Sequence, residues 1–298
     1  MKALSDKYIA GFLDADGSIR LDRQGRLWME FCQKQTNDGV IDLIHDVVGG
    51  SRLTRVGRRR GKRTVGGRCV LSGKRAVSML ERLKKHLVVK AQKAEDLLAQ
   101  VQGREAAQVS PKVHPSRAWL AGYFDGDGMV HAAISNSKYG SASVRVSITS
   151  NTTEMAGLQL VSKAFGGTVR CRENTARFEM TVDAAKAKKF FGFFAKHSTI
   201  KREQIYYVLG CADMGHFRDG ETIVATLKAM KTHPHRLSDL HTDVDVSGYL
   251  KEVRNLPAQR GQHREQHCDQ CGAGEHYAKG LCNSCYQRQR YRYKRQSA

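Results

Sequence analysis

The alternation of apolar and polar positions predicts the same order of elements twice along the chain. Apolar residues spaced three or four apart indicate helices, and period-two alternation indicates strands. In the first series the predicted elements are 8–17, 18–23, 26–33, 40–48, 51–56, 64–71, 72–87 and 90–102. In the second series they are 119–128, 129–134, 144–149, 151–165, 168–172, 177–182, 184–195 and 201–209. Each series therefore contains an αββαββα unit.

The register of the two series indicates a duplication. Asp16 and Asp127 are 111 residues apart, and so are Lys90 and Lys201. Equal offsets at the first and last helices favour an internal repeat over chance similarity. We predict an α+β protein with two pseudo-symmetric halves, 1–103 and 117–232, joined by a proline-containing linker, 104–116. A connecting segment, 233–265, and a small C-terminal module, 266–298, follow.

The net charge of the chain indicates which kind of partner it binds. The 298 residues carry a formal net charge of +21, with a pI of about 9.8. Such a balance points to a polyanion, most simply nucleic acid. No apolar run is long enough to span a bilayer, and the first residues lack the apolar core of a secretory signal. We therefore expect an intracellular protein, cytoplasmic in a prokaryote or phage or else organellar, with no membrane partner.

A ten-residue stretch opens each half, and its acids suggest a metal site. Small residues in the two stretches, such as Gly11 and Gly122, let two helices pack closely. Gly17 and Gly128 favour a left-handed turn at each helix end. Asp16 and Asp127 would then meet at the negative ends of two helix dipoles, which is costly without a cation between them. A divalent metal that bridges both carboxylates and a phosphate would remove this cost.

The same stretches carry a family resemblance. Ile9–Gly17 reads IAGFLDADG and Leu120–Gly128 reads LAGYFDGDG. These sequences resemble the two motifs of single-chain LAGLIDADG homing endonucleases. The resemblance covers residues 7–210 and implies a monomeric, metal-dependent enzyme that cuts each strand of a long asymmetric double-stranded DNA site once. It also implies that Asp14 and Asp125, one step earlier in each motif, are structural.

The resemblance implies further site residues. A polar residue on each second strand falls at Gln33 and at Ser150, with Asn151 as the alternative to Ser150. A lysine at the start of each last helix falls at Lys90 and Lys201. We therefore expect Asp16 and Asp127 to bind Mg²⁺ or Mn²⁺, and Gln33, Lys90 and Lys201 to complete the catalytic site. Surface lysines at helix starts are the structural alternative for Lys90 and Lys201.

Two four-stranded sheets would form a DNA-binding saddle with one face free. Arginine forks match phosphate oxygens and guanine edges. For any single arginine a solvated surface is an equal alternative. The predicted contacts on the sheets are Arg20, Arg23, Arg26, Arg52, Arg55, Arg58, Arg59, Arg60, Lys62, Arg63, Arg68, Lys138, Arg145, Arg170, Arg172 and Arg177. The stretch from Arg58 to Arg63 is predicted as a basic loop.

The C-terminal cysteines predict a second metal site. Cys268, Cys271, Cys282 and Cys285 form two CxxC pairs at the spacing of a structural, tetrahedral Zn²⁺ site. The alternatives are free thiols or a redox pair. The segment resembles a treble-clef zinc finger, and the basic, tyrosine-rich helix after it would add DNA contacts through Arg288, Arg290 and Arg292.

Two other functions remain open on the same sequence. An RNA maturase that binds intron RNA, or a DNA-binding regulator without catalysis, could use the same fold; the presence of both acids favours the endonuclease. A structural zinc-binding nucleoid protein fits the charge but ignores the duplication. The chain shows no intein splice-junction residues at its ends, so we expect a free-standing or intron-encoded protein rather than an intein.

Overall fold

The computed structural model describes residues 3–34, 39–59, 62–134, 141–213, 217 and 220–232. The chain divides into two units, Met1–Gly248 and Tyr249–Ala298, and all of the described residues lie in the first. The connecting segment 233–265 and the predicted zinc module 266–298, with its four cysteines and Arg288, Arg290 and Arg292, lie outside the described residues. Lys138 and Arg60 also lie outside them.

Each half contains the predicted elements. In the first half they are α1 Asp6–Asp16, β1 Gly17–Leu21, β2 Leu27–Lys34, α2 Gly39–Val48, β3 Ser51–Arg59, β4 Lys62–Ser72, α3 Lys74–Lys84 and α4 Ala91–Gln102. In the second half they are α5 Arg117–Asp127, β5 Gly128–Ile134, β6 Ala142–Asn151, α6 Ala156–Phe165, β7 Thr168–Arg172, β8 Thr175–Val182, α7 Ala184–Phe194 and α8 Arg202–Asp213, followed by α9 Gly220–Thr232. The expected α+β class is confirmed.

The two sheets have the same topology. Each is antiparallel and four-stranded, in the orders β1-β2-β4-β3 and β5-β6-β8-β7. Gly17 pairs with Phe31 in the first sheet, and Gly128 pairs with Ile148 in the second. Counting two residues onward from Phe31 and Ile148 makes Ser150 the structural counterpart of Gln33. The inward side chains of β2, Leu27, Met29 and Phe31, are fully buried, as the alternation predicts.

Helices α1 and α5 cross in direct backbone contact. A Cβ atom added to Gly11 would lie 2.0 Å from the carbonyl oxygen of Trp119, and one added to Gly122 would lie 2.0 Å from that of Tyr8. No side chain fits at these distances, so both positions require glycine. Each helix begins with a serine cap, in which Ser5 accepts from the Tyr8 amide and Ser116 from the Trp119 amide.

The prediction that the glycines at the two helix ends adopt a left-handed conformation is wrong. Gly17 has φ −102° and Gly128 has φ −75°, both in extended backbone. Their chain turns directly from helix into strand, which brings them against the helix that they leave. A Cβ at Gly17 would be 2.5 Å from a Leu13 side-chain carbon, and one at Gly128 would be 2.3 Å from the Phe124 ring. The lack of room for a side chain, rather than a left-handed φ, therefore explains why both positions are glycine.

Several element boundaries differ from the prediction. Ser72 ends β4, and α3 begins only at Lys74 because Gly73 turns the chain with φ +57°. The stretch predicted as a basic loop belongs mainly to strands, since Arg58 pairs with Arg63 and Arg59 with Lys62. The element predicted from residue 151 opens with a 3₁₀ turn, Thr152–Glu154, in which Asn151 accepts from the Thr153 amide; α6 starts at Ala156.

Helix α9 has no counterpart in the prediction. It packs on β5 and β6 through the buried Ile223 and Leu227. Just before it, the Phe217 carbonyl accepts from the Ala142 amide at 2.6 Å, where β6 begins. Among the described residues, the second half therefore has one more helix than the first. Within the described ranges, no helix is long and apolar enough to cross a membrane.

Candidate active site at the paired helix ends

The crossing of α1 and α5 brings Asp16 and Asp127 together. Each acid is the last residue of its helix, and Gly11 and Gly122 hold the two backbones in contact. Burial first, and then the negative charge of Asp16, raise the pKa of Asp127 to about 7. The Lys90 and Lys201 charges act in the opposite direction. Burial and a like charge thus act together on Asp127, as expected for two acids at neighbouring helix ends.

The preceding acids of the two stretches are structural, and they lock the halves together. Asp14 accepts from the Val88 amide at 2.7 Å, the Lys90 amide at 2.8 Å and Trp119 Nε1 at 2.8 Å. The two amides lie more than 70 residues further along the chain, so Asp14 ties the end of α1 to distant segments. Burial raises the pKa of Asp14, and its hydrogen bonds oppose that shift.

Asp125 repeats this arrangement in the other half. It accepts from Tyr8 Oη at 2.7 Å, Ser198 Oγ at 2.6 Å and the Thr199 amide at 2.6 Å, with longer bonds from two following amides. Tyr8 and Trp119 occupy equivalent positions, so each half sends one aromatic donor to the structural acid of the other. Burial raises the pKa of Tyr8 well above its usual value.

The two lysines lie at the same junction. Lys90 Nζ donates to the carbonyls of Leu13 at 3.0 Å and Asp14 at 2.6 Å, at the C-terminal end of α1. Lys201 Nζ donates to the carbonyls of Phe124 at 2.9 Å and of Asp125, at the end of α5. Both ammonium groups thus sit at the negative pole of a helix dipole. Lys90 is the N-cap residue of α4 and is almost fully buried.

The two polar strand residues differ in what they contact. Gln33 Nε2 donates to Asp16 Oδ2 at 2.8 Å, which joins it to the first acid. The Ser150 hydroxyl donates instead to the main-chain oxygen of Glu154 at 3.3 Å. Asn151, the alternative, is occupied as the cap of the 3₁₀ turn. Within the part of the chain that the structure describes, nothing equivalent to the Gln33 bond joins Ser150 to Asp127.

The outer faces of the sheets carry several of the predicted arginines. In the first sheet, Arg68 Nε donates to Glu30 Oε1 at 2.5 Å, and the Arg20 guanidinium lies 5.3 Å from the centroid of the Trp28 ring. In the second, Arg177 Nη2 donates to Ser147 Oγ at 3.1 Å. Glu30 and Glu179, which the sequence analysis passed over, hold Arg68 and Arg177 in ion pairs.

Several other arginines that were predicted to contact DNA are exposed, and one predicted arginine lies on the wrong face of its sheet. Arg145 and Arg170 are exposed and lie opposite Thr181 and Arg177 on neighbouring strands; Arg172 and Arg23 are exposed as well. Arg26 is exposed and paired with Asp22. Arg52 lies on the helix side of its sheet, where Nε donates to Asp42 Oδ1 of α2 at 2.6 Å. Its strand neighbour Cys69 is buried, so Arg52 does not belong to the outer face.

The donor set at the helix ends fits a hard divalent cation. Mg²⁺ keeps several waters and binds proteins through one or two carboxylates together with substrate phosphates. Asp16 and Asp127 supply two such carboxylates, and a bound cation would offset the burial and the like charge that raise the pKa of Asp127. Among the described residues there is no group of three or more His, Cys, Asp and Glu side chains that could hold a metal by itself.

Comparison with known proteins found one matching family model and several similar structures. Residues 120–212 match the family model described as LAGLIDADG endonuclease. The fold resembles that of the LAGLIDADG meganuclease I-AabMI bound to uncleaved DNA, at 16% identity and a TM-score of 0.52, covering 78% of this chain and 99% of the meganuclease. No curated protein sequence matches at a significant level.

Two other solved structures show the same fold. The meganuclease I-SmaMI, bound to an uncleavable DNA with a TTGT central four, matches at 16% identity and a TM-score of 0.54, covering 76% of this chain and 97% of its own. The homing endonuclease I-GzeII in complex with its DNA target matches at 12% identity and a TM-score of 0.51, covering 86% and 99%. At these identities the likeness establishes the fold: an α+β architecture shared with LAGLIDADG meganucleases.

Proposed function

We propose that this protein is a site-specific DNA endonuclease of the LAGLIDADG type, which hydrolyses one phosphodiester in each strand of a long asymmetric site. The observation that carries the proposal is the pair Asp16 and Asp127 at the crossed helix ends, where Gly11 and Gly122 permit backbone contact. The match of residues 120–212 to the endonuclease model supports it. Because both acids belong to one chain, the protein acts as a monomer.

Double-stranded DNA is the proposed substrate. The net charge of +21 favours a polyanion, and phosphate contacts dominate the affinity of such interfaces. The outer faces of the two sheets form the proposed saddle, with Arg20, Arg68, Arg145, Arg170 and Arg177 on them. Held arginines such as Arg68 and Arg177 are suited to reading guanine edges, because their forks are already oriented. The meganucleases I-AabMI and I-GzeII, which share the fold, were solved with DNA.

The proposed cofactor is Mg²⁺ or Mn²⁺ held by Asp16 and Asp127. When bound, the cation would offset charge on the scissile phosphate and lower the pKa of an attacking water. Gln33 holds the Asp16 carboxylate in position through its amide nitrogen. Lys90 and Lys201 bring positive charge to the ends of the two helices, where negative charge develops during phosphodiester hydrolysis.

The two strands are proposed to be cut at unequal rates. Gln33 bonds Asp16, whereas its counterpart Ser150 bonds the main chain of Glu154. The water around Asp127 is therefore oriented by a different set of groups from the water around Asp16. A nicked duplex should accumulate during cleavage for this reason.

Cleavage of a randomised double-stranded DNA library with Mg²⁺, followed by sequencing of the broken ends, tests the proposal. A recurrent long site with staggered ends is the expected result. No recurrent break, together with tight and salt-sensitive binding to RNA, would instead support the RNA maturase. Binding to one DNA site without cleavage would support a regulator.

Asp16→Asn and Asp127→Asn test the role of the acids once a target is in hand. We expect each to slow cleavage by about 10³-fold or more, since a lost metal ligand removes several kcal/mol of charge stabilisation. The affinity for the target should persist, because the sheets are unchanged. Asp96→Asn, on the exposed side of α4, is the matched control and should cut normally. Cleavage at the normal rate by Asp16→Asn would exclude it as a metal ligand.

We also propose that Cys268, Cys271, Cys282 and Cys285 bind one structural Zn²⁺, on the basis of their spacing alone. Elemental analysis of the purified full chain should find one zinc per molecule, and Cys282→Ser should lose it. A stoichiometry that is unchanged in Cys282→Ser would contradict this assignment. The basic residues after the site, Arg288, Arg290 and Arg292, would lengthen the DNA contact, so the same variant should weaken DNA binding.

A further inference from the structure

An acid of the second half reaches the lysine of the first. Glu154 ends the 3₁₀ turn that follows β6, and its Oε2 lies 3.9 Å from Lys90 Nζ. The Lys90 side chain is 5% exposed and that of Glu154 is 33% exposed. The negative charge of Glu154 also contributes to the raised pKa of Asp127. Glu154 thus lies close to the proposed catalytic groups without being one of the two helix-end acids.

The backbone around Glu154 is held in place by several contacts. The Thr152 amide donates to the Asn174 carbonyl at 3.1 Å, and Asn151 caps the turn through the Thr153 amide, also at 3.1 Å. The Glu154 carbonyl itself accepts from the Ser150 hydroxyl at 3.3 Å. The turn is therefore fixed at both ends, and it presents the Glu154 side chain from a defined position.

The segment after this turn packs directly on the junction between the halves. A Cβ added to Gly157 would lie 2.7 Å from the Tyr123 hydroxyl and 2.8 Å from a Val89 methyl carbon. Tyr123 belongs to α5, and Val89 immediately precedes Lys90. Backbone packing thus sets the distance between Glu154 and Lys90, and their ion pair does not have to hold it alone.

Lys90 has partners on two sides. Two carbonyls at the end of α1 accept from its ammonium group, and the Glu154 carboxylate approaches within ion-pair distance. Lys201 likewise contacts carbonyls of its own half, and it lies 5.8 Å from the centroid of the Phe124 ring. The segment of the first half that would correspond to the Glu154 turn, 35–38, lies outside the described residues.

From this geometry we infer that Glu154 is a positioning residue that orients the Lys90 ammonium across the junction between the halves, and thereby controls the cut in one DNA strand. The inference rests on the proposed endonuclease function. A residue of the second half would then contribute to the site that contains Lys90. Neither of the two sites would be built from one half alone. Loss of Glu154 should change the ratio of the two strand cuts rather than the overall affinity for DNA.

The test uses the full chain and its target duplex, with a different label on each strand. Glu154→Gln should slow one strand cut by about tenfold, as is usual when a partner that orients a catalytic group is removed. The affected strand should be the one that Lys90→Met slows, and the other strand should be cut nearly as fast as by the unchanged protein. The dissociation constant for the duplex, measured by mobility shift without divalent metal, should not change.

A matched control and a double variant separate this role from a structural one. Glu81→Gln removes an exposed acid on α3 and should leave both cuts unchanged. In a Lys90→Met background, Glu154→Gln should add little on the affected strand, because its effect passes through Lys90. If Lys90→Met does not fold, Lys90→Arg takes its place in the cycle.

Three results would overturn the inference. They are equal slowing of both strands by Glu154→Gln, no slowing of either strand, and a full tenfold effect in the Lys90 variant background. These outcomes leave the endonuclease function standing, because the unchanged protein still cuts. Failure of the unchanged protein to cut any duplex would remove the proposed function, and this inference with it.

Discussion

The two halves agree most closely where their backbones touch and differ most around the proposed catalytic residues. Gly11 and Gly122 are equivalent positions. A Cβ atom added to either of them would lie 2.0 Å from a carbonyl oxygen of the opposite helix. Tyr8 and Trp119 are also equivalent, and each donates to the structural acid of the other half. The crossing is thus symmetric in geometry even where the residue types differ.

Around this crossing the symmetry is relaxed. Ala15 stands where the second helix has Gly126, and a Cβ on Gly126 would lie 2.4 Å from that of Ala15, so only one of the pair carries a methyl group. Gln33 bonds Asp16, but Ser150 turns to Glu154. The stretch that matches the endonuclease model, 120–212, lies wholly in the second half. Contact between two backbones constrains both partners, whereas the proposed active site, acting on an asymmetric DNA, would not need equal halves.

The largest effect should follow from filling the crossing. Gly11→Ala and Gly122→Ala should each lower the free energy of unfolding by about 3 kcal/mol or more, because a methyl group on either residue would collide with main chain that cannot move aside. Urea unfolding, followed by the fluorescence of the buried Trp119, measures the loss. Similar losses for the two variants would confirm that the crossing is symmetric.

Gly192→Ala supplies the control for this prediction. Gly192 lies within α7, and a Cβ there would meet nothing within 4 Å. We expect it to stabilise the protein by about 0.5–1 kcal/mol, since alanine is the better helix former. If Gly122→Ala were tolerated as well as Gly192→Ala, the second helix could not be packed as closely as the first.

Much of the fold could be predicted from the sequence because its patterns are local. Alternation fixed the strands within a few residues, and the inward residues of β2 are buried as expected. The meeting of Asp16 and Asp127 also followed from the sequence, because small residues at helical spacing mark a close crossing wherever they occur. Gln33 and Ser150 were placed by family resemblance, and the sheet register then confirms that they are counterparts.

The remaining features depend on contacts between distant parts of the chain. The extended Gly17 and Gly128 are explained by Leu13 and Phe124, which only the turn from helix to strand brings against them. Arg52 was assigned to the outer face because it is charged. Its bond to Asp42 of α2 shows that its side chain lies on the helix side of the sheet. Glu154 falls within the predicted element 151–165, and its approach to Lys90 spans 64 residues of sequence.

A smaller effect concerns the acids, and it depends on pH. The folded-state pKa of Asp127 is about 7, above its ordinary value of 3.8. Folding therefore favours the protonated form, and stability is lost as the pH rises between these two values. In metal-free buffer, Asp127→Asn should match the unchanged protein near pH 4 and exceed it by about 2 kcal/mol at pH 8, after allowance for solvent screening.

Thermal unfolding in EDTA across this pH range measures the difference. Asp96→Asn, which removes an exposed acid, should show a constant offset from pH 4 to 8. Asp16→Asn should show part of the same gain, because it removes the charge that helps to raise the pKa of Asp127. A difference between Asp127→Asn and the unchanged protein that did not grow with pH would mean that burial and the Asp16 charge do not raise the pKa of Asp127.

The smallest effect tests the reciprocal aromatic donors. Tyr8→Phe removes the hydroxyl that bonds Asp125 at 2.7 Å and leaves the ring in place, so we expect a loss of about 1.5 kcal/mol, typical of a hydrogen bond to a charged group. Trp119→Phe should cost more, because it also removes buried ring area. Since the two donors serve different acids, their losses should add within about 0.5 kcal/mol in the double variant.

Tyr206→Phe on the partly exposed face of α8 is the control and should stay within about 0.5 kcal/mol. A Tyr8→Phe loss no larger than that of the control would mean that the second half keeps its acid in place without the first, and that the exchange between the halves runs in one direction.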